Sequence, residues 1–234
     1  MKIFLLSLTF VIVITSFCTA QIRPNPTAYT GAGLKGGSSF SSFNFNPSQG
    51  QGWATGYTAG LVLKHAVRVN ENEPMMGVQV ELNWVQRGWT DHIDSTTTYT
   101  RKLHYLELPF MTHAMWGHKN TKIIANFGPS ISYLLSNRDS IDAILDTKHN
   151  GYYQNEIEKP WLAGLALGVG VQRSTAFGTF QLEARLTQSL NSIMTKRQRL
   201  ISATNTNITV TAAYLLELRP KKERSTNGAS SFFR

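Results

Sequence analysis

Residues 208–218 read ITVTAAYLLEL, and this stretch decides the fold class. Every second residue is apolar or aromatic: Ile208, Val210, Ala212, Tyr214, Leu216 and Leu218. The residues between them are polar, small or charged, with Leu215 as the one large apolar exception. Because successive side chains of a strand point to opposite sides of the sheet, a period of two predicts a β-strand with one apolar face.

The same alternation recurs along the chain before this last strand. It predicts earlier strands at about Tyr29–Phe43, Gly56–Arg68, Met76–Trp89, Thr100–Trp116, Lys122–Leu135, Trp161–Arg173 and Gly178–Leu190. Short connections (69–74, 117–120 and 174–177) alternate with longer ones (44–55, 90–99, 136–160 and 191–204). Outer-membrane barrels have short periplasmic turns and long outer loops. The pattern therefore predicts an all-β fold, an eight-stranded antiparallel up-and-down transmembrane β-barrel with both termini on the periplasmic side.

The N-terminus carries the pattern of a cleaved signal peptide. Lys2 precedes the apolar run 3–17, and small residues precede a cut after Ala20. We therefore expect a signal peptide at 1–20, a barrel domain at 21–219 and a basic periplasmic tail at 220–234. After cleavage the chain has no cysteine, which excludes a disulfide framework and a thiol nucleophile.

Composition limits the expected partners. The hydrophobic fraction is 41% and the mean hydropathy is -0.19, which taken alone are typical of a soluble protein. A membrane barrel gives similar values, because its lipid-facing and lumen-facing residues alternate and cancel in the average. The formal charge is +9 with a pI near 9.8. Because an exported chain rarely meets nucleic acid, we expect outer-membrane lipid and lipopolysaccharide phosphates to be the partners of this basic excess.

Aromatic residues cluster near the ends of the predicted strands. The set is Trp53, Tyr57, Trp84, Trp89, Tyr99, Phe110, Trp116, Tyr133 and Trp161. Such rings favour the membrane–water boundary, where an apolar body and a polar edge are both satisfied. The alternative is core packing in a soluble periplasmic β protein.

Charged residues also fall on the inward face of the predicted strands. They are Lys64, Glu81, Glu107, Glu183, Arg185 and Glu217. The interior of an eight-stranded barrel is only wide enough for its own side chains, and buried charges must be paired. We therefore expect a salt-bridged plug, with paired carboxylates for acid–base chemistry as the alternative.

Other motifs give weaker signals. Gly31–Gly36 matches G-x-G-x-x-G, but no helix-forming sequence follows it, and small residues facing a crowded lumen explain the glycines better. The six histidines have no metal-ligand spacing, so neither a metal nor a cofactor is expected. His104 and His113 could lie near the membrane on the fourth strand, as in some lipid-modifying enzymes, but no catalytic constellation accompanies them.

Three motifs carry a family resemblance. Gly33–Gly37 (GLKGG), Glu81–Gly88 (ELNWVQRG) and Tyr105–Pro109 (YLELP) resemble the outer-membrane β-barrel domain common in Bacteroidetes, the "porin family" or PorT-like proteins. Gly128-Pro129 followed by Tyr133 is similar to the same pattern. The resemblance spans about 29–218 and implies an eight-stranded barrel in the cell outer membrane, without a uniform activity. The tail after the last strand departs from barrels that end on an aromatic residue.

The expected function follows from these features. We expect a non-enzymatic barrel with a plugged lumen and a structural, adhesive or envelope-assembly role. The alternatives are a small porin for solutes and a lipid-modifying enzyme. Envelope proteins could bind the tail or the outer loops, of which 136–160 is acidic and 191–204 is basic.

Overall fold

The computed structural model describes residues 27–46, 52–68, 73–92, 98–117, 120–141, 159–193 and 202–218. They form eight strands: β1 (Thr27–Asn46), β2 (Gly52–Arg68), β3 (Met75–His92), β4 (Thr98–Trp116), β5 (Thr121–Ile141), β6 (Trp161–Thr175), β7 (Gly178–Ser189) and β8 (Ser202–Glu217). The expected signal peptide (1–20) and tail (220–234) lie outside the described residues. None of the described residues forms a helix long and apolar enough to cross a membrane.

The strands close into a barrel in chain order. Each strand pairs antiparallel with the next, and β1 also pairs antiparallel with β8. This confirms the predicted fold class. Closure leaves the sheet without a free first or last strand, which is how a barrel solves the problem of unpaired edges.

The connections differ from the expected alternation. Residues 47–51 and 93–97 are no longer than the turn 69–74, so the expected long connections at 44–55 and 90–99 are wrong. Backbone pairing continues beyond the apolar alternation, for example at Thr90↔Thr100 and Asn46↔Ser202, because backbone hydrogen bonds do not require apolar side chains. Only 142–160 and 190–201 are long, and both join strands at one end. We call this the loop end and the opposite one the terminal end.

The register gives the stagger of the barrel. Bonded partners followed from Tyr29 pass through Ala66, Gly77, His113, Asn126, Gly168, Arg185 and Thr209. The row returns to β1 at Ser39, ten residues beyond its start. This stagger tilts the strands, and eight of them enclose a space that side chains fill.

The outer wall is apolar. Large apolar side chains project outward and are exposed, among them Leu34 (66%), Ile123 (62%) and Val169 (57%). In β2 and β7 exposed and buried residues alternate along almost the whole strand. Monomeric soluble proteins rarely expose an apolar surface of this extent, so the wall fits a lipid environment.

Most of the aromatic residues predicted for the membrane boundary face outward, as that prediction requires. Exposed outward rings are Trp53, Tyr57, Trp84, Phe110, Trp116, Tyr133 and Trp161. Trp89 is an error, because it is only 3% exposed and packs edge-on against Phe43 inside the barrel. It is an odd-numbered residue of β3 and shares a face with Arg87, which alternation alone indicates. The side chain of Tyr99 lies outside the described residues.

The glycine-rich motif lies inside β1. A Cβ on Gly33 would overlap the carbonyl oxygen of Tyr214, so Gly33 allows the close approach of β1 and β8. The expectation that these glycines relieve lumen crowding is wrong for Gly36. It lies on the outward side with Leu34, and its nearest neighbour would be the Thr58 oxygen at 3.7 Å.

Candidate functional site: the barrel lumen

The centre of the lumen holds an ion-pair cluster around Arg185. Its Nη1 and Nη2 donate to both oxygens of Glu81 (2.8 and 2.6 Å). Its Nη2 and Nε also donate to Oε1 of Glu183 (2.7 and 3.0 Å). Lys35 Nζ lies 2.9 Å from Glu81 and 3.9 Å from Glu183. All four side chains are buried, so each charge depends on the others for stabilisation. We call these four residues the central cluster.

Amide side chains complete the bonding of the two carboxylates. Asn83 donates to Glu81 at 2.7 Å, and Gln79 donates to the same carboxylate. Gln181 and Asn126 donate to Glu183 at 2.9 and 3.0 Å. A buried carboxylate is tolerable only when its lone pairs are satisfied, and these donors meet that demand.

Lys64 joins this network indirectly. It is fully buried and donates to the side-chain oxygens of Gln172 (3.1 Å) and Gln181. Because Gln181 also donates to Glu183, Lys64 connects to the central cluster through an amide. The sequence therefore placed Lys64, Glu81, Glu183 and Arg185 in one region, and the structure brings them together.

Glu107 lies nearer the loop end in a second ion pair. It is buried against Arg87, whose guanidinium also sits 5.4 Å from the centre of the Tyr105 ring. The three residues interlock β3 and β4. Both motifs that carry the family resemblance in these strands contribute to this contact.

Glu217 is the exception among the expected lumen residues. It ends β8 and its side chain is exposed, so it does not join the cluster. Alternation gives its side of the strand correctly, but the barrel ends before the side chain is enclosed.

Sequence reasoning missed several buried lumen residues, among them Lys35 and His113. The apolar–polar alternation around Lys35 is weak, because most of its neighbours are glycines and serines. Lys35 nevertheless falls on the same side of the strand as Gly33 and Gly37. His113 was expected near the membrane surface, which is wrong: it is buried, with Nδ1 at 2.5 Å from Asn126 Oδ1. His104 does lie on the outer wall, where its ring stacks on Trp84 at 5.2 Å.

Apolar clusters lie on both sides of the charged centre, and neither was predicted. The loop-end cluster contains Phe43, Trp89, Leu103, Tyr105, Leu162, Ile193 and Ala203. The terminal-end cluster contains Tyr29, Ala66, Met75, Met115 and Ile124. The lumen is thus filled by an apolar layer, a charged layer and a second apolar layer.

The donors and acceptors of the central cluster are used by one another. Acid–base catalysis needs a carboxylate that can reach a substrate, whereas Glu81 and Glu183 lie within a shell of donors. Within the described ranges, no three His, Cys, Asp or Glu side chains are grouped so as to hold a metal ion.

Comparisons with solved structures give the following similarities. The chain is 13% identical to the attachment invasion locus protein Ail of Yersinia pestis, crystallised with the heparin analogue sucrose octasulfate, with a TM-score of 0.37 over 80% of this chain and 99% of that chain. It is 10% identical to OprG of Pseudomonas aeruginosa, with a TM-score of 0.45 over 82% and 98%. It is also 10% identical to neisserial surface protein A, with a TM-score of 0.35 over 82% and 99%. These values carry no information on function.

The sequence comparisons are of two kinds. No curated protein matches the chain. The family model described as outer membrane protein β-barrel domain matches residues 19–195. Together with the closed barrel and its apolar wall, this match means that the chain belongs to the outer membrane β-barrel domain family and resides in the outer membrane.

Proposed function

We propose that this barrel is closed to solutes and serves as a structural or interaction component of the cell envelope, in adhesion or envelope assembly. The observation that carries the proposal is the filled lumen. A solute would have to separate Arg185 from Glu81 and Glu183, and each separation would leave a buried charge without its partner. It would also have to pass the apolar layers at both ends.

The small-porin alternative has less support. A conducting lumen needs a polar path that stays hydrated along its length. Here Trp89 and Tyr105 lie buried across the loop end, while Met75 and Met115 are buried at the terminal end. The central charges bind one another instead of lining an opening.

A non-enzymatic role is supported by the same contacts. The carboxylates that sequence reasoning offered for acid–base chemistry, Glu81, Glu107 and Glu183, are each buried and ion-paired. His113 is enclosed beside Asn126, and His104 stacks on an outer-wall tryptophan. We therefore propose that the barrel carries out no chemistry on lipid or sugar.

The surfaces left for recognition are the two ends of the barrel. We propose that the outer loops and the 220–234 tail contact other envelope proteins, and that lipopolysaccharide and outer-membrane lipid contact the wall, with no role for nucleic acid. The outer loops include 142–158 and 194–201, which lie outside the described residues, as does the tail. Binding functions concentrate in such connections because the scaffold tolerates their variation. The long connections at the loop end support an orientation with that end outside the cell.

We also propose that the chain belongs to the PorT-like, Bacteroidetes branch of the family. The resemblance of the Glu81–Gly88 and Tyr105–Pro109 motifs to that branch supports this finer placement. In the structure both motifs supply lumen residues that contact each other. Glu81 and Asn83 bond together, and Arg87 pairs with Glu107.

Planar-bilayer recording of the purified, refolded barrel tests the closed-lumen proposal. We expect no steady current above leak, in contrast to a known porin recorded under the same conditions. Reproducible single-channel steps from the unmodified chain would reverse the proposal in favour of the porin. Mass spectrometry of lipid A from cells that express the chain would separately reveal lipid modification.

A further inference from the structure

One part of the outer wall combines aromatic rings with cationic residues. On β5 and β6, the exposed rings of Tyr133 and Trp161 lie 4.6 Å apart. On β3 and β4, Trp84 and His104 stack at 5.2 Å. These four rings face outward toward the loop end of neighbouring strands.

The register places His104, Tyr133 and Trp161 near a common level, with Trp84 lower on the wall, because the row of bonded partners climbs toward the loop end from β3 to β6. Trp84 pairs with Leu106, Leu106 with Tyr133, and Tyr133 with Trp161. His104 lies two positions beyond Leu106 toward the loop end. An aromatic row at the edge of an apolar wall is typical of the level at which acyl chains meet headgroups.

Two exposed lysines lie just beyond this row. Lys102 is two positions beyond His104, and Lys159 is two positions beyond Trp161. At about 3.3 Å per residue, each backbone position is roughly 6–7 Å farther from the apolar wall than the ring beside it. Two interstrand spacings across β5 and an offset of three residues along it separate their backbones by roughly 14 Å.

Within the part of the chain that the structure describes, no carboxylate pairs with Lys102 or Lys159. In the strand register, Lys102 lies opposite Gly88 on β3 and Arg138 on β5, neither of which is an acid. Two exposed cations just above an aromatic boundary favour an anion held at the headgroup level.

We propose that Lys102 and Lys159 bind the phosphates of one lipopolysaccharide molecule, while Tyr133 and Trp161 pack beneath its sugar. Lipopolysaccharide fits because its phosphates lie on a sugar unit directly above the acyl chains. Lysine is a common point-charge partner for phosphate. This site rests on the proposed orientation, in which the loop end faces outward.

Binding of purified lipid A to the refolded barrel tests the site. The variants are Lys102→Ala, Lys159→Ala and the double variant, and binding is followed by native mass spectrometry. We expect affinity to fall roughly five- to tenfold for each lysine removed. Lipid A stripped of phosphate should bind the unmodified barrel as weakly as intact lipid A binds the double variant.

Arg173→Ala provides the matched control. Arg173 is an exposed cation near the terminal end of β6, at the opposite edge of the wall, and its loss should leave lipid A affinity unchanged. Unchanged affinity in the lysine double variant would overturn the site, and an equal loss in Arg173→Ala would replace it with nonspecific charge attraction. Preferential binding of a phospholipid over lipid A would overturn the lipopolysaccharide assignment. Bilayer conductance of the double variant tests the closed lumen separately from the lipopolysaccharide site, because neither lysine lies in the lumen.

Discussion

Glu81 accepts five side-chain hydrogen bonds, one more than Glu183, the other carboxylate of the central cluster. Its Oε2 accepts from Lys35, Arg185 and Asn83, at 2.9, 2.8 and 2.7 Å. Oε1 accepts from Arg185 at 2.6 Å and from Gln79. These bonds link β1, β3 and β7 across the lumen, so this one residue ties together strands that are not neighbours in the sheet.

Glu81→Gln should therefore destabilise the barrel strongly. The substitution leaves Lys35 and Arg185 buried with only Glu183 as a counter-charge, and breaking a buried pair costs about 3–5 kcal/mol. The free energy of unfolding, measured by urea titration of the barrel in lipid vesicles, should fall by about 3 kcal/mol or more. Glu217→Gln removes the same charge at an exposed position and should change it by less than about 0.5 kcal/mol. Equal effects of the two substitutions would contradict the assigned importance of the cluster.

Single residues also show where sequence reasoning succeeds. Alternation gave the correct side for Glu81, Glu183 and Arg185, because parity does not depend on knowing the neighbours. It gave the correct side for Glu217 but not the exposure of its side chain, since that exposure depends on where the barrel ends. Lys35 was missed because the glycines and serines around it carry almost no hydrophobic contrast.

At the scale of the element, β3 shows the same distinction. Trp84 and Trp89 both lie in the half of β3 that leads to the loop end, yet Trp84 is exposed and Trp89 is buried. The rule that aromatic residues near strand ends face the membrane boundary fails for Trp89. The alternation alone predicts the inward side correctly, because Trp89 is two residues from the inward Arg87. The apolar layers were missed for a related reason: residues such as Met75 and Leu103 interrupt the polar face, and only the closed barrel shows that they meet.

The pairing of β1 with β8 gives a prediction about closure. Gly33→Ala should hinder it, because the added Cβ would overlap the carbonyl oxygen of Tyr214. Overpacking of this kind costs about 1–3 kcal/mol or more. The folded fraction, measured by heat-modifiable mobility on gels, should fall.

Gly36→Ala is the matched control for this prediction. It lies three positions away in the same strand, faces outward and meets nothing nearer than 3.7 Å. Its folded fraction should equal that of the unmodified chain. If both variants fold equally well, the close approach at Gly33 does not limit closure.

At the scale of the molecule, closure of the lumen is distributed over three layers. The central cluster lies between an apolar layer at the loop end and another at the terminal end. A single removable plug would open when one residue is shortened. A lumen closed by three successive layers stays closed when one layer is lost, because the other two still exclude hydrated ions.

Arg185→Ala distinguishes these two designs. It removes the guanidinium that bonds both Glu81 and Glu183, and so it empties the middle of the charged layer. If the layers act in series, bilayer recordings of this variant should show no steady conductance, because Trp89, Tyr105, Met75 and Met115 still fill the ends. The same preparation should unfold at a lower urea concentration than the unmodified chain, which shows that the substitution has taken effect. Steady ion flow through a variant that is still folded would mean that the ion-pair cluster is the sole barrier, and the barrel would then be a pore held shut by one arginine.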